Sequence, residues 1–257
     1  MSLYTEYKGL ASYEGIRRIL TETGHSIRQN DYYAKKFTYD EDYFKTIDNE
    51  HKAYWLGFIA ADGCVKKNSK LNMELSIALS SADRDHLLKL RNDLKYDGEV
   101  KDYVSKHNKG YSRLLITNGP IGYDLMNLGV QPNKSLTKKF ENFKVPSELL
   151  RHFVRGYFDG NGCITHTFRN NGAIAYKINV CSTESMLRAL EYVLGREPRK
   201  LDKRHKDDKD NYQLCIGGRH QVKKALDYMY MDADIYLQRK YDKYLEFLRF
   251  YNSPSCK

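Results

Sequence analysis

The chain has 257 residues, enough for one large domain or two small ones with a sizeable buried core. Its 43 basic and 33 acidic residues give a formal charge of +10 and a pI near 9.1. A polyanion such as nucleic acid is the simplest partner for this balance, although a merely basic, soluble protein would show it too. No apolar run reaches membrane-spanning length, which argues against a membrane protein.

The five cysteines are an odd number and contain no CxxC pair. This usage argues against a disulfide framework and against a zinc site, and it is typical of a reducing cytosol. The N-terminus lacks the apolar h-region of a signal peptide. We therefore expect a cytoplasmic protein.

Residues 5–30 are the first candidate element along the chain. Charged side chains, Arg17 among them, alternate with apolar ones, and Ser12 stands where a helix cap is expected. The pattern is similar to the second half of a helix-turn-helix, in which Arg17 would contact DNA. The expected first helix is not clear, and a packing helix with a charged outer face fits equally well. We assign residues 1–48 to a small helical N-terminal extension.

The next elements form an αββαββα series. An apolar helix over 50–61 precedes strands near 64–67 and 72–79, and the second strand alternates apolar and polar residues. A helix follows, with Ser81 as its predicted N-cap. Two more strands then bracket the polar loop 105–110, and a helix closes the unit.

The same series recurs about 100 residues later. Gly57 and Gly156 are separated by 99 positions, as are Cys64 and Cys163. The steady offset indicates two copies of one supersecondary unit, joined by a segment around 129–146. The second copy is predicted to contain a helix over 147–159, strands near 163–168 and 175–181, a helix capped by Ser182, and a polar loop over 204–210. The sequence therefore predicts an α+β fold of two pseudo-symmetric repeats.

Each first helix carries an interior glycine and ends in an acid or amide beside a second glycine. Gly57 precedes Asp62, and Gly156 precedes Asn161. An interior glycine costs about 1 kcal/mol relative to alanine, which makes sense if the two helices pack backbone to backbone. Positions 62 and 161 would then meet, and two carboxylates there would repel unless a divalent cation such as Mg²⁺ lay between them. Metals beside a phosphate support phosphodiester hydrolysis. For one motif alone, a core helix ending in an Asp-Gly turn would be the better interpretation.

The segments WLGFIAADG (55–63) and VRGYFDGNG (154–162) resemble the paired signature motifs of the LAGLIDADG homing endonucleases in their single-chain, two-repeat form. The resemblance covers about residues 50–251, and the stretches 128–136 and 236–241 are similar to those of phage and bacterial members. It implies a saddle whose two sheets straddle DNA, with repeats over 49–140 and 141–257. The motif helices would form the central interface, with the active site at their ends.

The resemblance also implies roles for individual residues. The metal-binding acid of the first motif falls on Asp62, and its counterpart falls on Asn161, so these two would hold Mg²⁺ or another divalent cation. Asp159 takes a place that in the family belongs to the helix. Lys134 and Lys240 stand where the family has a basic residue near each active site, and they would polarise the scissile phosphate or the surroundings of the attacking water. For each lysine, the alternative is a solvent-exposed side chain that has no role in catalysis.

The polar faces of the strands supply candidate DNA-binding residues, because Arg, Lys, Asn and Gln hydrogen-bond base edges in a major groove. In the first copy they are Lys66, Asn72, Glu74, Ser76, Lys101, Tyr103, Tyr111 and Arg113. In the second copy they are Thr165, Thr167, Arg169, Lys177, Asn179, Lys203 and Gln213. Plain solvent exposure is the alternative for each of them taken singly.

We therefore expect a site-specific double-stranded DNA endonuclease of the homing type, which is bacterial or phage-encoded and acts as a monomer on a long, pseudo-symmetric target. Because the Asn161 amide carries no charge, we expect weakened metal binding and a severe loss of double-strand cleavage, with DNA binding kept. A transcription regulator built on an inactive core is one alternative. An RNA maturase that aids intron splicing is another.

Overall fold

The computed structural model describes residues 37–253 apart from 68–72, 118–119, 133–137, 169, 171–172 and 204–209, together with Thr23. The chain separates into two compact units, residues 1–36 and residues 37–257. The predicted helix-turn-helix element, including Arg17, lies outside the described residues. Within the described part, no helix is both long enough and apolar enough to cross a membrane.

The order of elements in residues 37–257 confirms the predicted αββαββα series in both copies. The first repeat contains α1 (Glu50–Asp62), β1 (Cys64–Lys67), β2 (Met73–Ser80), α2 (Arg84–Asp93), β3 (Lys101–Val104), β4 (Gly110–Thr117) and α3 (Ile121–Asn127). The second contains α4 (Leu150–Asn161), β5 (Gly162–Phe168), β6 (Ile174–Ser182), α5 (Glu184–Val193), β7 (Asp202–Lys203), β8 (Tyr212–Gly217) and α6 (Arg219–Tyr230). A further helix, α7 (Gln238–Asn252), follows the second repeat.

The two sheets have the same topology, which establishes the pseudo-symmetry. Their strand orders are β1-β2-β4-β3 and β5-β6-β8-β7, and all the neighbouring strands are antiparallel. Side chains alternate between the faces of a strand, so one face of each sheet is apolar and buried. Ile77 pairs with Leu114 on the buried face of the first sheet, and Ile178 pairs with Ile216 on that of the second.

The predicted caps of α2 and α5 are wrong. Ser81 begins a short 3₁₀ turn, Ser81–Asp83, that precedes α2, and Ser182 is the last residue of β6. Neither helix start shows a side-chain cap hydrogen bond. A side-chain cap does form at α1, where the Asn49 Oδ1 accepts a hydrogen bond from the backbone N–H of Lys52 at 3.0 Å.

Residues 37–48, which we assigned to the N-terminal extension, pack into the first repeat. Phe44 and Ile47 are buried in the core. The backbone N–H and the hydroxyl of Thr38 donate to the carboxylate of Asp97, at 2.7 and 2.9 Å. The compact unit therefore begins at Phe37.

Candidate active site

The motif helices α1 and α4 pack backbone to backbone at their interior glycines, as predicted. A Cβ atom on Gly57 would lie 2.0 Å from the carbonyl oxygen of Phe153, and one on Gly156 would lie 1.9 Å from that of Tyr54. Any larger residue at either position would force the helices apart, because the clashing atoms belong to helix backbone. The glycines thus set how closely the two repeats approach.

This crossing brings the ends of the two helices together. Asp62 is the last residue of α1, and Asn161 is the last residue of α4. A Cβ atom on Gly160 would lie 3.4 Å from the carboxyl carbon of exposed Asp62 and 2.3 Å from the Cβ of Ala61. The Asp62 carboxyl group therefore lies against the last turn of the opposite helix, one residue from Asn161.

The two helix ends have different surroundings. The side chain of Asn161 hydrogen-bonds the hydroxyl of Tyr157, one turn earlier in α4. The same hydroxyl lies 2.5 Å from the Oγ of Ser182. Burial raises the pKa of Tyr157 to about 12, so the hydroxyl stays neutral. The matching residue of α1 is Phe58, which offers Asp62 no such bond.

Asp159 is fully buried and lies away from the site surface, which agrees with its assignment to the helix. Its carboxylate accepts hydrogen bonds from the hydroxyls of Tyr54 and Tyr230, at 2.7 and 2.5 Å, and from the backbone N–H of Leu237 at 2.7 Å. Burial raises the pKa of Asp159. With its oxygens occupied by three donors, Asp159 cannot replace Asn161 as a metal ligand.

Lys240 packs against the last turn of α4 and is only 3 % exposed. Its amine donates to the carbonyl oxygens of Phe158 and Asp159, at 2.7 and 2.5 Å. Burial lowers the pKa of Lys240 to about 8, and the charges of Asp159 and Asp62 partly oppose that shift. The amine therefore acts as a buried charge beside the helix end, where a cation is favoured, and does not extend into solvent.

Lys138 is a second basic residue near Asp62, and no sequence motif singles it out. Lys134, which we predicted for this role, lies outside the described residues. Burial lowers the pKa of Lys138 to about 8, and the charge of Asp62 opposes that shift. The Lys138 amine stands 5.4 Å from the ring centroid of Tyr157, and its carbonyl oxygen accepts a hydrogen bond from the Thr183 hydroxyl at 2.6 Å. Lys138 thus shares one neighbourhood with Asp62 and Tyr157.

The donor atoms at the helix ends are suited to a hard divalent cation. Asp62 offers carboxylate oxygens, and Asn161 offers one neutral amide oxygen, in a place where phosphate oxygens and water could complete the coordination. Among the residues that the structure describes, no group of three or more His, Cys, Asp or Glu side chains could hold a metal ion. A cation here would therefore depend on Asp62 and Asn161 together with ligands from outside the chain.

The outward face of the first sheet carries every predicted DNA-binding residue of that copy that the structure describes. Lys66 pairs with Glu74, and Tyr103 pairs with Tyr111. Because alternate residues of a strand share a face, these pairs extend into one stripe. The stripe contains Lys66, Glu74, Ser76, Lys101, Tyr103, Tyr111 and Arg113. Asn72 lies outside the described residues.

Contacts within this stripe orient its side chains. The guanidinium of Arg113 lies 3.1 Å from the Glu74 carboxylate and donates to the Ser76 hydroxyl at 2.8 Å. The rings of Tyr103 and Tyr111 stack with centroids 5.3 Å apart. Fixed rotamers of this kind favour selective contacts, since less side-chain freedom is lost on binding.

The outward face of the second sheet carries Thr165, Thr167, Lys177, Asn179 and Gln213. Gln213 donates to the amide oxygen of Asn179 at 3.0 Å, which links two neighbouring strands. Arg169 lies outside the described residues.

Lys203 does not belong to this outward face. Its register partner is Tyr212, which pairs in turn with Ser182, whereas Asp202 is the residue opposite Gln213. Because side chains alternate along a strand, the register places Lys203 on the opposite face from the predicted one.

Comparisons with known proteins find the same architecture. The family model described as LAGLIDADG-like domain matches residues 49–121 and 148–229, one match in each repeat. Curated protein sequences give no match. Solved structures do, and the homing endonuclease I-LtrWI bound to target DNA is similar at a TM-score of 0.53, with 12 % identity over 84 % of this chain and 93 % of that one.

Two more solved structures are similar to the same extent. I-GzeII in complex with its DNA target gives a TM-score of 0.55, with 10 % identity over 80 % of this chain and 90 % of that one. I-SmaMI bound to uncleaved DNA in the presence of calcium ions gives 0.51, with 14 % identity over 80 % and 91 %. At such identities the likeness establishes the fold.

Proposed function

The chain belongs to the LAGLIDADG-like domain family, and from this premise we propose that it is a site-specific, double-stranded DNA endonuclease. The observation that carries the proposal is the position of the Asp62 carboxyl group against the last turn of α4, beside Asn161. One chain supplies both helix ends, so we propose that it acts as a monomer on a long, pseudo-symmetric site.

Three features support duplex DNA as the partner. The outward faces of both sheets carry polar and basic side chains at alternate positions, as a groove-reading surface requires. The net charge of +10 favours a polyanion. The structural neighbours I-LtrWI and I-GzeII were solved with their DNA targets.

The cofactor in this proposal is Mg²⁺ or another divalent cation, held by Asp62 and Asn161. Both residues offer the oxygen ligands that such ions prefer, and I-SmaMI was solved with DNA and calcium ions. A bound cation would supply Lewis-acid stabilisation of the phosphate and a more acidic water. Lys138 would place a positive charge near the same phosphate, where negative charge develops during hydrolysis.

Asn161 limits this activity in our proposal. Its amide supplies one oxygen without charge, so it competes less well for a cation than a carboxylate would. A bond to a charged group contributes about 1–1.5 kcal/mol more than a neutral one, so we expect cleavage to be slower by roughly tenfold than with aspartate at this position.

The experiment first selects target duplexes by binding of this chain to a randomised DNA library. Cleavage of the selected duplexes is then compared between the unmodified chain and Asn161→Asp in Mg²⁺, with Asp62→Asn as the control for metal-dependent cutting. We expect faster cutting by Asn161→Asp and none by Asp62→Asn, with all three proteins bound to DNA. Equal cutting by the first two proteins would refute the role given to Asn161.

A DNA-binding regulator is the second candidate function, and the neutral Asn161 in place of a second carboxylate is the observation that favours it. Binding of selected DNA without metal-dependent cutting by either the unmodified chain or Asn161→Asp would establish this alternative. Preference for structured intron RNA over the selected duplex would instead indicate a maturase.

A further inference from the structure

The start of α7 is fastened to the last turn of α4 by a closed ring of hydrogen bonds. The Asp159 carboxylate accepts the backbone N–H of Leu237, the cap residue of α7, at 2.7 Å. The Leu237 carbonyl oxygen accepts the N–H of Lys240 at 3.0 Å. The Lys240 amine then returns to the carbonyl oxygens of Phe158 and Asp159, at 2.7 and 2.5 Å. Side chain and backbone of Asp159 therefore hold both ends of one helical turn.

The packing of the motif helices does not itself require an acid at this position. The matching residue of α1 is Ala60, which is also fully buried. A buried carboxylate is unfavourable unless it is hydrogen-bonded and near a cation, and an apolar residue usually packs as stably. Asp159 has three donors and Lys240 close by, so its surroundings are built for the carboxylate.

The hydrogen bonds of Asp159 and Lys240 lie directly before the Asn161 end of α4. Lys240 is bonded to carbonyls two and three residues before Asn161. Lys138 depends on none of these bonds, since its carbonyl oxygen is held by Thr183 and its amine stands over the Tyr157 ring.

We propose that Asp159 is a positioning residue, which holds Leu237 so that Lys240 stays against the Asn161 end of α4. Loss of the carboxylate would release the first turn of α7 and its lysine, while Lys138 would keep its contacts with Tyr157 and Thr183. The effect on cleavage rests on the function proposed above. The effect on Lys240 does not.

The first test is limited acetylation of lysine amines in the full chain, read residue by residue by mass spectrometry. Asp159→Ala, which installs the residue of the first repeat, should raise the labelling rate of Lys240 by about tenfold, because a hydrogen bond to a charged group is lost. Asp159→Asn keeps a weaker acceptor and should give a smaller rise at the same residue, which preserves the test if the alanine variant does not fold. Lys138 serves as the internal reference.

The matched control is Tyr230→Phe, which removes one hydrogen bond from the same carboxylate and leaves the contact with Leu237 in place. It should not change the labelling of Lys240 relative to Lys138. An unchanged rate at Lys240 in the Asp159 variants, or an equal rise at Lys138, would overturn the proposal, because the second result indicates general loosening.

The second test measures cleavage of each DNA strand in the Asn161→Asp background. Asp159→Ala and Lys240→Met should slow the same strand, and the double variant should be no slower than the slower single one, as expected for residues that act as a unit. Equal slowing of both strands by Asp159→Ala would contradict the proposal. If no variant cleaves DNA, the proposed function fails, and the labelling result still decides the role of Asp159.

Discussion

Replacing Gly57 or Gly156 with alanine should push the two motif helices apart. The added Cβ would lie 2.0 Å from the Phe153 carbonyl oxygen in the first case and 1.9 Å from the Tyr54 carbonyl oxygen in the second. Real Cβ atoms essentially never approach closer than 3.0 Å. Neither oxygen can rotate away, so the helices must separate locally by about 1 Å, which removes a quarter to a half of the dispersion attraction between the atoms facing each other.

The free energy of unfolding should fall by about 2 kcal/mol for each variant. Overpacking of a well-packed core costs about 1–3 kcal/mol, and a clash with rigid backbone belongs at or above the upper end of that range. The higher helix propensity of alanine returns about 1 kcal/mol. The double variant should lose less than the sum of the single losses, because the first substitution already opens the space that the second needs.

Urea denaturation followed by circular dichroism measures this loss, and Gly217→Ala is the control. A Cβ at position 217 would meet only the Cγ of Lys177, at 4.0 Å, so that variant should keep or slightly gain stability. If Gly57→Ala proves as stable as Gly217→Ala, the close backbone crossing of α1 and α4 is refuted.

Two further predictions concern charge. Burial lowers the pKa of His51, but hydrogen bonds to Asp93 and Asp234 outweigh burial, and the pKa is raised overall. The protonated His51 should therefore contribute its full stability below a pH of about 6.5, and this contribution should be lost as the pH rises through the folded-state pKa. Thermal melts across this pH range should show a decline that His51→Asn lacks, and parallel profiles of the two proteins would contradict it. Lys177→Ala should weaken binding of the selected DNA, whereas Lys203→Ala, on the opposite face of its sheet, should leave it unchanged in gel-shift titrations.

The duplicated architecture could be predicted because its signals are local and occur twice. The interior glycines, the constant offset and the alternation along 72–79 each depend on residues close together in the chain, and the register of β2 bears out the alternation. The helix caps could not be predicted in the same way. Ser81 and Ser182 are suitable residue types, but the backbone of neither one takes the N-cap position, and tertiary contacts decide that.

Lys138 was missed for a related reason. It lies within the join between the repeats and has no motif of its own, and only the fold brings its amine over the Tyr157 ring and near Asp62. The basic cluster of the join was the available signal, and it favoured Lys134 by alignment with Lys240. The misplacement of Lys203 has a simpler origin, because the strand that contains it is two residues long and gives no alternation to follow.

The two motif helices also differ in how they are supported. At three matching positions α1 carries Leu56, Phe58 and Ala60, and each of them is fully buried without a polar side-chain atom. The corresponding residues of α4 are Arg155, Tyr157 and Asp159, and each makes directed hydrogen bonds. Packing therefore holds the end of α1, whereas hydrogen bonds fix the end of α4.

This difference bears on the asparagine at the end of α4. Arg155 donates to the carbonyl oxygens of Ile235 and Met229, at 2.7 and 3.1 Å. The hydrogen bonds made by α4 therefore extend to the segment that leads into α7. Satisfied buried polar groups specify one geometry more strictly than apolar contacts do, and they tolerate an unpaired charge poorly. An aspartate at position 161 would add a negative charge to a helix end that already holds Asp159 and faces Asp62, with Lys138 and Lys240 as the compensating cations. The neutral Asn161 avoids this repulsion while DNA and metal are absent, so we expect Asn161→Asp to lose stability in metal-free buffer and to regain it when Mg²⁺ and DNA are added. A variant equally stable in both conditions would show that the charge at this helix end is not balanced by the cation.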